Sequence, residues 1–176
     1  MKGWNAVITV REGGYSQACR LLERFGEVSK TGFFNTLVMR AADPHKLLDS
    51  VEQLTPETMQ PLARVMPVME TFIFNSPQEF ETNASQTVSK WLPSLAHKGF
   101  HVRMHRRGFK GKLSSMDEER FLDHYLLEAL EERGTPARIT FDNPDAIIAL
   151  ETIGPQAGVS FWTSEDLRRH PLLHLD

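Results

Sequence analysis

The chain has 176 residues, of which 40% are hydrophobic and 24% charged, with a net charge of −3. This composition excludes an intrinsically disordered protein, and no run of 18 apolar residues is present that could span a membrane. The single cysteine, Cys19, excludes an internal disulfide and a cysteine-based zinc site, and we expect it to pack in the core. The N-terminus is typical of a first strand and not of a signal peptide, so a cytoplasmic protein is expected.

Residues 1–75 are predicted to form one small domain of alternating strands and helices. Asp43-Pro44 is typical of a helix start, because it combines an N-cap residue with proline at the first helical position. The predicted elements are a strand at Trp4–Val10, a helix at Tyr15–Phe25, a strand at Phe33–Arg40, a helix from Asp43 and an extended segment at Arg64–Asn75. This order predicts a ferredoxin-like α/β sandwich, an α+β fold with helices on one face of an antiparallel sheet.

A second domain, residues 76–176, is predicted to begin at Ser76-Pro77-Gln78-Glu79, which is a capping box with proline at the first helical position. A second capping box at Ser115-Met116-Asp117-Glu118 predicts another helix, which Gly134 follows. The remaining predicted elements are a strand from Gly99, strands at Ala137–Phe141, Ile147–Ile153 and Gly158–Trp162, and a short helix at Ser164–Arg169.

The basic segment, defined as Lys98–Lys112, is the part of the chain that most needs a functional explanation. It contains six lysines or arginines, two histidines and no acidic residue, although the whole chain is mildly acidic. Its first half alternates, so that Phe100, Val102 and Met104 share one face of a strand and the intervening cationic residues share the other. We expect the apolar face to be buried and the other face to present cations to an anionic partner. A solvated run of charge without a function is the alternative.

The candidate RNA contacts lie in the basic segment and in the C-terminal helix. Arginine can donate two hydrogen bonds to phosphate oxygens, and Gly108 and Gly111 allow a backbone to approach closely. His105 and Phe109 can stack on an unpaired base, although Phe109 could equally fold onto the core. For the C-terminal helix the alternative is a solvated helix end. The candidates are Lys98, Arg103, His105, Arg106, Arg107, Phe109, Lys110, Lys112, Arg168 and Arg169.

No catalytic motif is found in the sequence. The seven histidines show no HExxH spacing and no short-spaced ligand set, so no metal site is predicted. GxGxxG, P-loop and GxSxG motifs are also missing, so no cofactor is predicted. We therefore expect a binding protein that is not an enzyme, with an active site assembled from distant residues left open.

The second domain resembles a THUMP domain, the RNA-binding module of several tRNA- and rRNA-modification enzymes. The residues that carry the resemblance are FHVRMHRRG at 100–108, SSMDEERFLDHYLLEAL at 114–130 and DNPDAIIALETIG at 142–154. In particular, the chain is similar to the stand-alone THUMP proteins that assist tRNA cytidine acetyltransferase, in which a small α/β domain leads into THUMP through a segment like Ala63–Val68.

This resemblance implies a ferredoxin-like domain followed by THUMP, which binds tRNA near the acceptor end and delivers it to a separate modifying enzyme. Neither DNA nor a membrane is an expected partner. Two alternatives stay open: an RNA-modifying or RNA-processing enzyme with an unrecognised site, and a protein-interaction module whose basic loop binds an acidic partner.

Overall fold

The computed structural model describes residues 1–175, which form seven α-helices and nine strands in two sheets. This confirms a mixed α+β fold. The chain divides into two compact units: the first unit comprises Met1–Met69 and the segment from Leu167 onward, and the second unit comprises Glu70–Asp166. The domains 1–75 and 76–176 stay a prediction, and they differ from this division at residues 70–75 and in the C-terminal segment.

The first unit contains a four-stranded antiparallel sheet in the order β2-β3-β1-β4. Its elements are β1 (Ala6–Val10), α1 (Tyr15–Leu22), β2 (Gly26–Lys30), β3 (Thr36–Ala41), α2 (Leu47–Glu52), α3 (Pro56–Met59) and β4 (Leu62–Pro67). Strand β1 has the sequence AVITV and is almost wholly buried, as expected for a central strand of β-branched residues. The C-terminal segment joins this unit at the edge of β4, where Val65 N donates a hydrogen bond to Leu172 O at 3.0 Å.

The second unit contains a five-stranded mixed sheet in the order β5-β9-β8-β6-β7. Its elements are β5 (Glu70–Ile73), α4 (Pro77–Val88), α5 (Leu92–Leu95), β6 (Gly99–His105), α6 (Ser115–Glu132), β7 (Arg138–Ile139), β8 (Ala146–Ile153) and β9 (Gln156–Thr163), and α7 (Ser164–Arg169) then leads out of it. Strand β6 is parallel to both β7 and β8, whereas β9 is antiparallel to β8 and β5.

One face of this sheet carries the core of the second unit. Phe100, Val102 and Met104 of β6 belong to one buried cluster with Leu122 and Leu126 of α6. The leucines of α6 recur every four residues and so form one apolar stripe along the helix. The apolar face of the basic strand is therefore buried, as the alternation predicts.

Side-chain caps fix the starts of the two longest helices. Ser76 Oγ accepts a hydrogen bond from Glu79 N at 3.1 Å and Glu79 Oε2 accepts one from Asn75 N at 2.8 Å, which confirms the first predicted helix start. The second prediction was one residue late, because the N-cap is Ser114, whose Oγ accepts from Asp117 N at 3.3 Å. Among the described residues, no helix has the length and apolar character that a membrane crossing needs.

Three sequence-based assignments in the first part of the chain need correction. Strand β2 was not predicted, because its sequence GEVSK is short, polar and half exposed. The single extended segment at 64–75 is two strands, β4 and β5, which belong to different sheets. Asp43 is not an N-cap, since its Oδ1 accepts from His45 N at 2.9 Å in a turn and α2 begins only at Leu47.

Candidate nucleic-acid interface

The basic segment starts as strand β6, one edge of which is completed by α6 instead of by a strand. β6 pairs with β7 only through its first two residues. Farther along this edge, Asp123 Oδ1 accepts a hydrogen bond from Val102 N at 2.9 Å and Glu119 Oε2 accepts one from Met104 N at 3.0 Å. Glu119 and Asp123 are four residues apart on the helix, a rise of about 6 Å, and Val102 and Met104 are two residues apart on the strand, about 6.6 Å. Because these spacings are nearly equal, each acid can reach one of the two amides. These bonds hold α6 alongside the basic strand.

Three of the predicted RNA contacts are paired with acids inside the second unit. Arg107 Nη1 lies 2.7 Å from Glu151 Oε2, and His105 Nδ1 lies 3.9 Å from Glu151 Oε1. Arg103 Nη1 lies 3.8 Å from Glu119 Oε2. Glu151 is fully buried and lies opposite His105 in the parallel register of β6 and β8.

The second face of β6 is therefore partly covered and lined by acids, while its contact with an anionic partner stays a prediction. His101 on that face is only 3% exposed, and its Nδ1 lies 2.9 Å from Thr140 O. The alternation of apolar and cationic residues predicts which side chains share a face of β6. It does not predict what covers the cationic face, or that α6 and β8 supply Glu119 and Glu151 there.

Phe109, a predicted stacking residue, lies against the core. Its ring centroid is 5.0 Å from that of Phe74, and the side chain packs on the main apolar cluster of the second unit. The preceding Gly108 has a φ of +102°, and a Cβ at this position would lie 2.8 Å from Gly154 Cα. The loop therefore turns at a residue that must be glycine. Of the two expectations for Phe109, packing on the core is the one that the structure shows.

Arg106, Lys110 and Lys112 are the cations of the loop that retain access to solvent. Lys110 and Lys112 are exposed and form no ion pair within the described residues, whereas Arg106 is half-buried and donates a hydrogen bond from Nη1 to Gly108 O. Arg106 and Lys112 line a cavity of about 460 Å³, called the loop cavity below. It is lined by Arg106, Gly111, Lys112, Leu113, Ser114, Ser115, Asp117 and Glu118.

Two carboxyl groups of α6 near the basic segment have strongly raised pKa values. Burial, followed by the charge of Glu81 and a hydrogen bond with it, raises the pKa of Glu118 to about 8. Burial also raises the pKa of Asp123 to about 7, against the opposing effect of its hydrogen bond from Val102 N. Both acids therefore hold a proton at pH values where an ordinary carboxyl group is ionised.

The other predicted RNA contacts lie apart from the loop or in the first unit. Lys98 is exposed at the start of β6, and the seven residues of this strand, about 23 Å, separate it from Arg106. Arg168 and Arg169 belong to the first unit, where Arg169 Nη2 lies 3.2 Å from Asp49 Oδ1. Within the second unit, Arg106 and Lys112 are the predicted RNA contacts that line the loop cavity together.

Sequence reasoning missed a cluster of Asp49, Glu52 and His170 in the first unit. One potential ligand atom from each lies within 4.8 Å of the others. His170 Nδ1 is 2.8 Å from Glu52 Oε2 and 4.0 Å from Asp49 Oδ1, and Arg169 also contacts Asp49. Arg169 and His170 thus contact the two acids, and these contacts join the C-terminal segment to α2. No sequence signal marks it, because His170 is 118 residues from Glu52.

No family model matches the chain, and no curated protein matches its sequence. Solved structures share its fold. PH1313 from Pyrococcus horikoshii Ot3 is 14% identical with a TM-score of 0.60, over 90% of this chain and 55% of that one. A 4-thiouridine synthetase, solved as an RNA complex with bound ATP, is 14% identical with a TM-score of 0.57, over 91% and 42% of the two chains. A "possible methylase" from Clostridium difficile 630 is 14% identical with a TM-score of 0.59, over 90% and 40%.

These comparisons contradict the expectation that the chain is not an enzyme. A 4-thiouridine synthetase and a "possible methylase" are among the proteins with the same fold, so the missing motifs do not exclude an enzyme. The chain spans about half the length of these structures or less. At this level of identity the likeness establishes the fold: the chain shares it with proteins that include a 4-thiouridine synthetase bound to RNA.

Proposed function

We propose that this chain binds tRNA and holds it for chemical modification, as the RNA-binding part of an RNA-modifying enzyme. The observation that carries the proposal is the pair Arg106 and Lys112 at the loop cavity, with Lys110 exposed on the same loop, in a fold shared with an RNA-bound synthetase. The net charge of the chain is −3, so the positive charge of the loop is a local feature and does not reflect a protein that is basic overall.

The chemistry of these side chains suits a phosphate backbone. Lysines are flexible point charges that follow phosphates without reading sequence, and arginine adds hydrogen bonds in a fixed geometry. Arg103, His105 and Arg107 serve the fold, since acids within the second unit already pair with them. The RNA contact is accordingly centred on the loop and not on the strand.

The finer fold assignment is part of the same proposal. The order β1-α1-β2-β3-α2-α3-β4 and the strand order β2-β3-β1-β4 support a ferredoxin-like arrangement in the first unit. The second unit would then be a THUMP domain, as its resemblance at 100–108, 114–130 and 142–154 implies. A tRNA molecule is the RNA expected for such a pair of domains.

The kind of modification is also a proposal. The resemblance favours acetylation of cytidine with a tRNA cytidine acetyltransferase as partner, whereas methylases occur among the proteins of the same fold. Mass spectrometry of tRNA from cells with and without the chain distinguishes acetyl, methyl and thio groups. Unchanged tRNA masses would contradict a role in modification.

The binding proposal is tested by fluorescence anisotropy with labelled tRNA. The variant Lys110→Ala/Lys112→Ala removes two exposed charges, so we expect the affinity to fall about tenfold. The salt dependence should become shallower, by about one unit of log–log slope for each phosphate that is no longer neutralised. The matched control is Lys46→Ala/Arg133→Ala, which removes two other exposed positive charges. Equal losses of affinity in the two variants would show that overall charge, and not the loop, binds the RNA.

A further inference from the structure

The loop cavity combines positive charge with the start of a long helix. Arg106 and Lys112 supply the charge, and α6 has 18 residues. Ser114 uses its side chain to cap Asp117 N and its carbonyl to accept from Glu118 N. The amides of Ser115 and Met116 belong to the first turn and have no partner inside the helix. Such amides and the helix dipole favour an anion at this position.

The cavity also contains a buried acid, which is unusual for an anion site. Glu118 is 5% exposed, and its Oε2 has no hydrogen-bond partner within the described residues. Burial of Glu118 and the nearby carboxyl group of Glu81 on α4 both raise the pKa of Glu118, which favours its protonated form. The other charged groups at the cavity are Asp117 on the same helix and Arg106 and Lys112 from the loop.

We propose that the loop cavity binds a phosphate group of RNA together with a proton on the buried carboxyl group of Glu118. The proton removes one negative charge from the wall of the cavity, so that Arg106 and Lys112 can act on the phosphate. This inference rests on the proposed RNA-binding function and adds a subsite and a proton to it.

The direction of the pH effect follows from the charges. The pKa of Glu118 is already raised to about 8, and a bound phosphate, being negative, raises it further. The complex therefore holds the proton more tightly than the free protein, and binding takes up a proton when the pH exceeds about 8. A further rise of one pKa unit on binding corresponds to about a tenfold difference in affinity between the protonated and the ionised site.

The experiment measures binding of a fluorescein-labelled single-stranded RNA between pH 6.5 and 9 at constant ionic strength. We expect the affinity of the wild type to fall by about three- to tenfold between pH 7 and 9. Glu118→Gln cannot lose a proton, so its affinity should change much less over the same range. Glu131→Gln, at an exposed position near the end of α6, is the control and should follow the wild type. Ionisation of the RNA bases contributes equally to all three proteins.

The outcomes separate this inference from the proposed function. RNA binding with the same pH dependence in wild type and Glu118→Gln would overturn the inference and leave the function standing, whereas no RNA binding at any pH would overturn the function. A second measurement follows the Glu118 carboxyl carbon by NMR, whose apparent pKa should rise when the RNA is added. If inorganic phosphate produces this rise and RNA does not, the site takes free phosphate and the assignment to RNA is wrong.

Discussion

Arg107 Nη1 lies 2.7 Å from Oε2 of Glu151, a carboxylate with no exposed surface at all. The arginine is also held by its backbone, because its N donates to Thr152 Oγ1 at 2.9 Å and its O accepts from Gly154 N at 2.8 Å. A side chain tied in this way to β8 serves to join the end of β6 to its neighbour. Glu151 compensates its charge inside the second unit, so we expect Arg107 to contribute more to folding than to RNA binding.

Removing Arg107 should therefore destabilise the protein more than it weakens RNA binding. Arg107→Ala leaves the buried charge of Glu151 without its closest partner, at a cost of about 3–5 kcal/mol in the free energy of unfolding. Urea unfolding measures this cost, and the paired variant Arg107→Met/Glu151→Leu should recover most of it because no charge is left buried. A stable Arg107→Ala protein that binds RNA tenfold more weakly would show instead that Arg107 contacts RNA.

The turn at Gly108 gives a prediction with an internal control. Gly108 and Gly111 have φ values of +102° and +79°, but only at Gly108 would a Cβ meet backbone, 2.8 Å from Gly154 Cα. Gly111→Ala should cost about 1 kcal/mol from backbone strain alone. Gly108→Ala adds a clash with backbone and should cost about 2–3 kcal/mol. Thermal unfolding of both variants measures the difference in stability. Equal costs would contradict the close approach of Gly108 to Gly154.

The sequence predicted features whose interacting residues are close together along the chain, such as helix caps. The helix start at Ser76 was found because the cap and the amide that it binds are three residues apart. The strand GEVSK was missed because only pairing with β3 makes it a strand. The charge of the basic segment was visible, but the acids that pair with it were not: Glu119 and Glu151 lie on α6 and β8, far along the chain from Arg103 and Arg107. No single-sequence pattern reports such pairings.

The raised pKa of Asp123 predicts a pH-dependent stability. The pKa rises from 3.8 to about 7 on folding, so the folded state favours the protonated form. The contribution of this group is therefore fully present below pH 4 and is lost as the pH rises through 7. Asp123→Asn still has an oxygen that can accept the hydrogen bond from Val102 N, but it cannot ionise. Relative to the wild type, the variant should gain about 1–2 kcal/mol between pH 4 and 8, less than the full shift because water partly screens the group.

Urea unfolding of Asp123→Asn and wild type at pH 4 and pH 8 measures this gain. Titration of all other groups is common to both proteins and cancels in the difference. Asp142→Asn, at an exposed position after β7, is the control and should show no such change. A stability difference between wild type and Asp123→Asn that is the same at both pH values would contradict the raised pKa.

Glu52 contacts the C-terminal segment and is expected to hold it on the first unit. Its two oxygens lie 2.8 Å from His170 Nδ1 and 3.4 Å from Leu172 N, and the same segment accepts the hydrogen bond from Val65 N on the edge of β4. Glu52→Ala removes both contacts and should lower the stability of the segment by about 1–3 kcal/mol. Hydrogen exchange then provides a local measurement, because the Val65 amide becomes exposed whenever the segment detaches.

The expected result is faster exchange at Val65 in Glu52→Ala, by one to two orders of magnitude, with little change at Val7 and Ile8 of the central strand. Those two amides belong to β1, which other strands cover on both sides. Glu57→Ala, an exposed position on α3, is the control. Uniformly faster exchange across the sheet would mean that Glu52 stabilises the whole unit, whereas unchanged exchange at Val65 would mean that the segment is held by its buried leucines, Leu173 and Leu175, without the ion pairs.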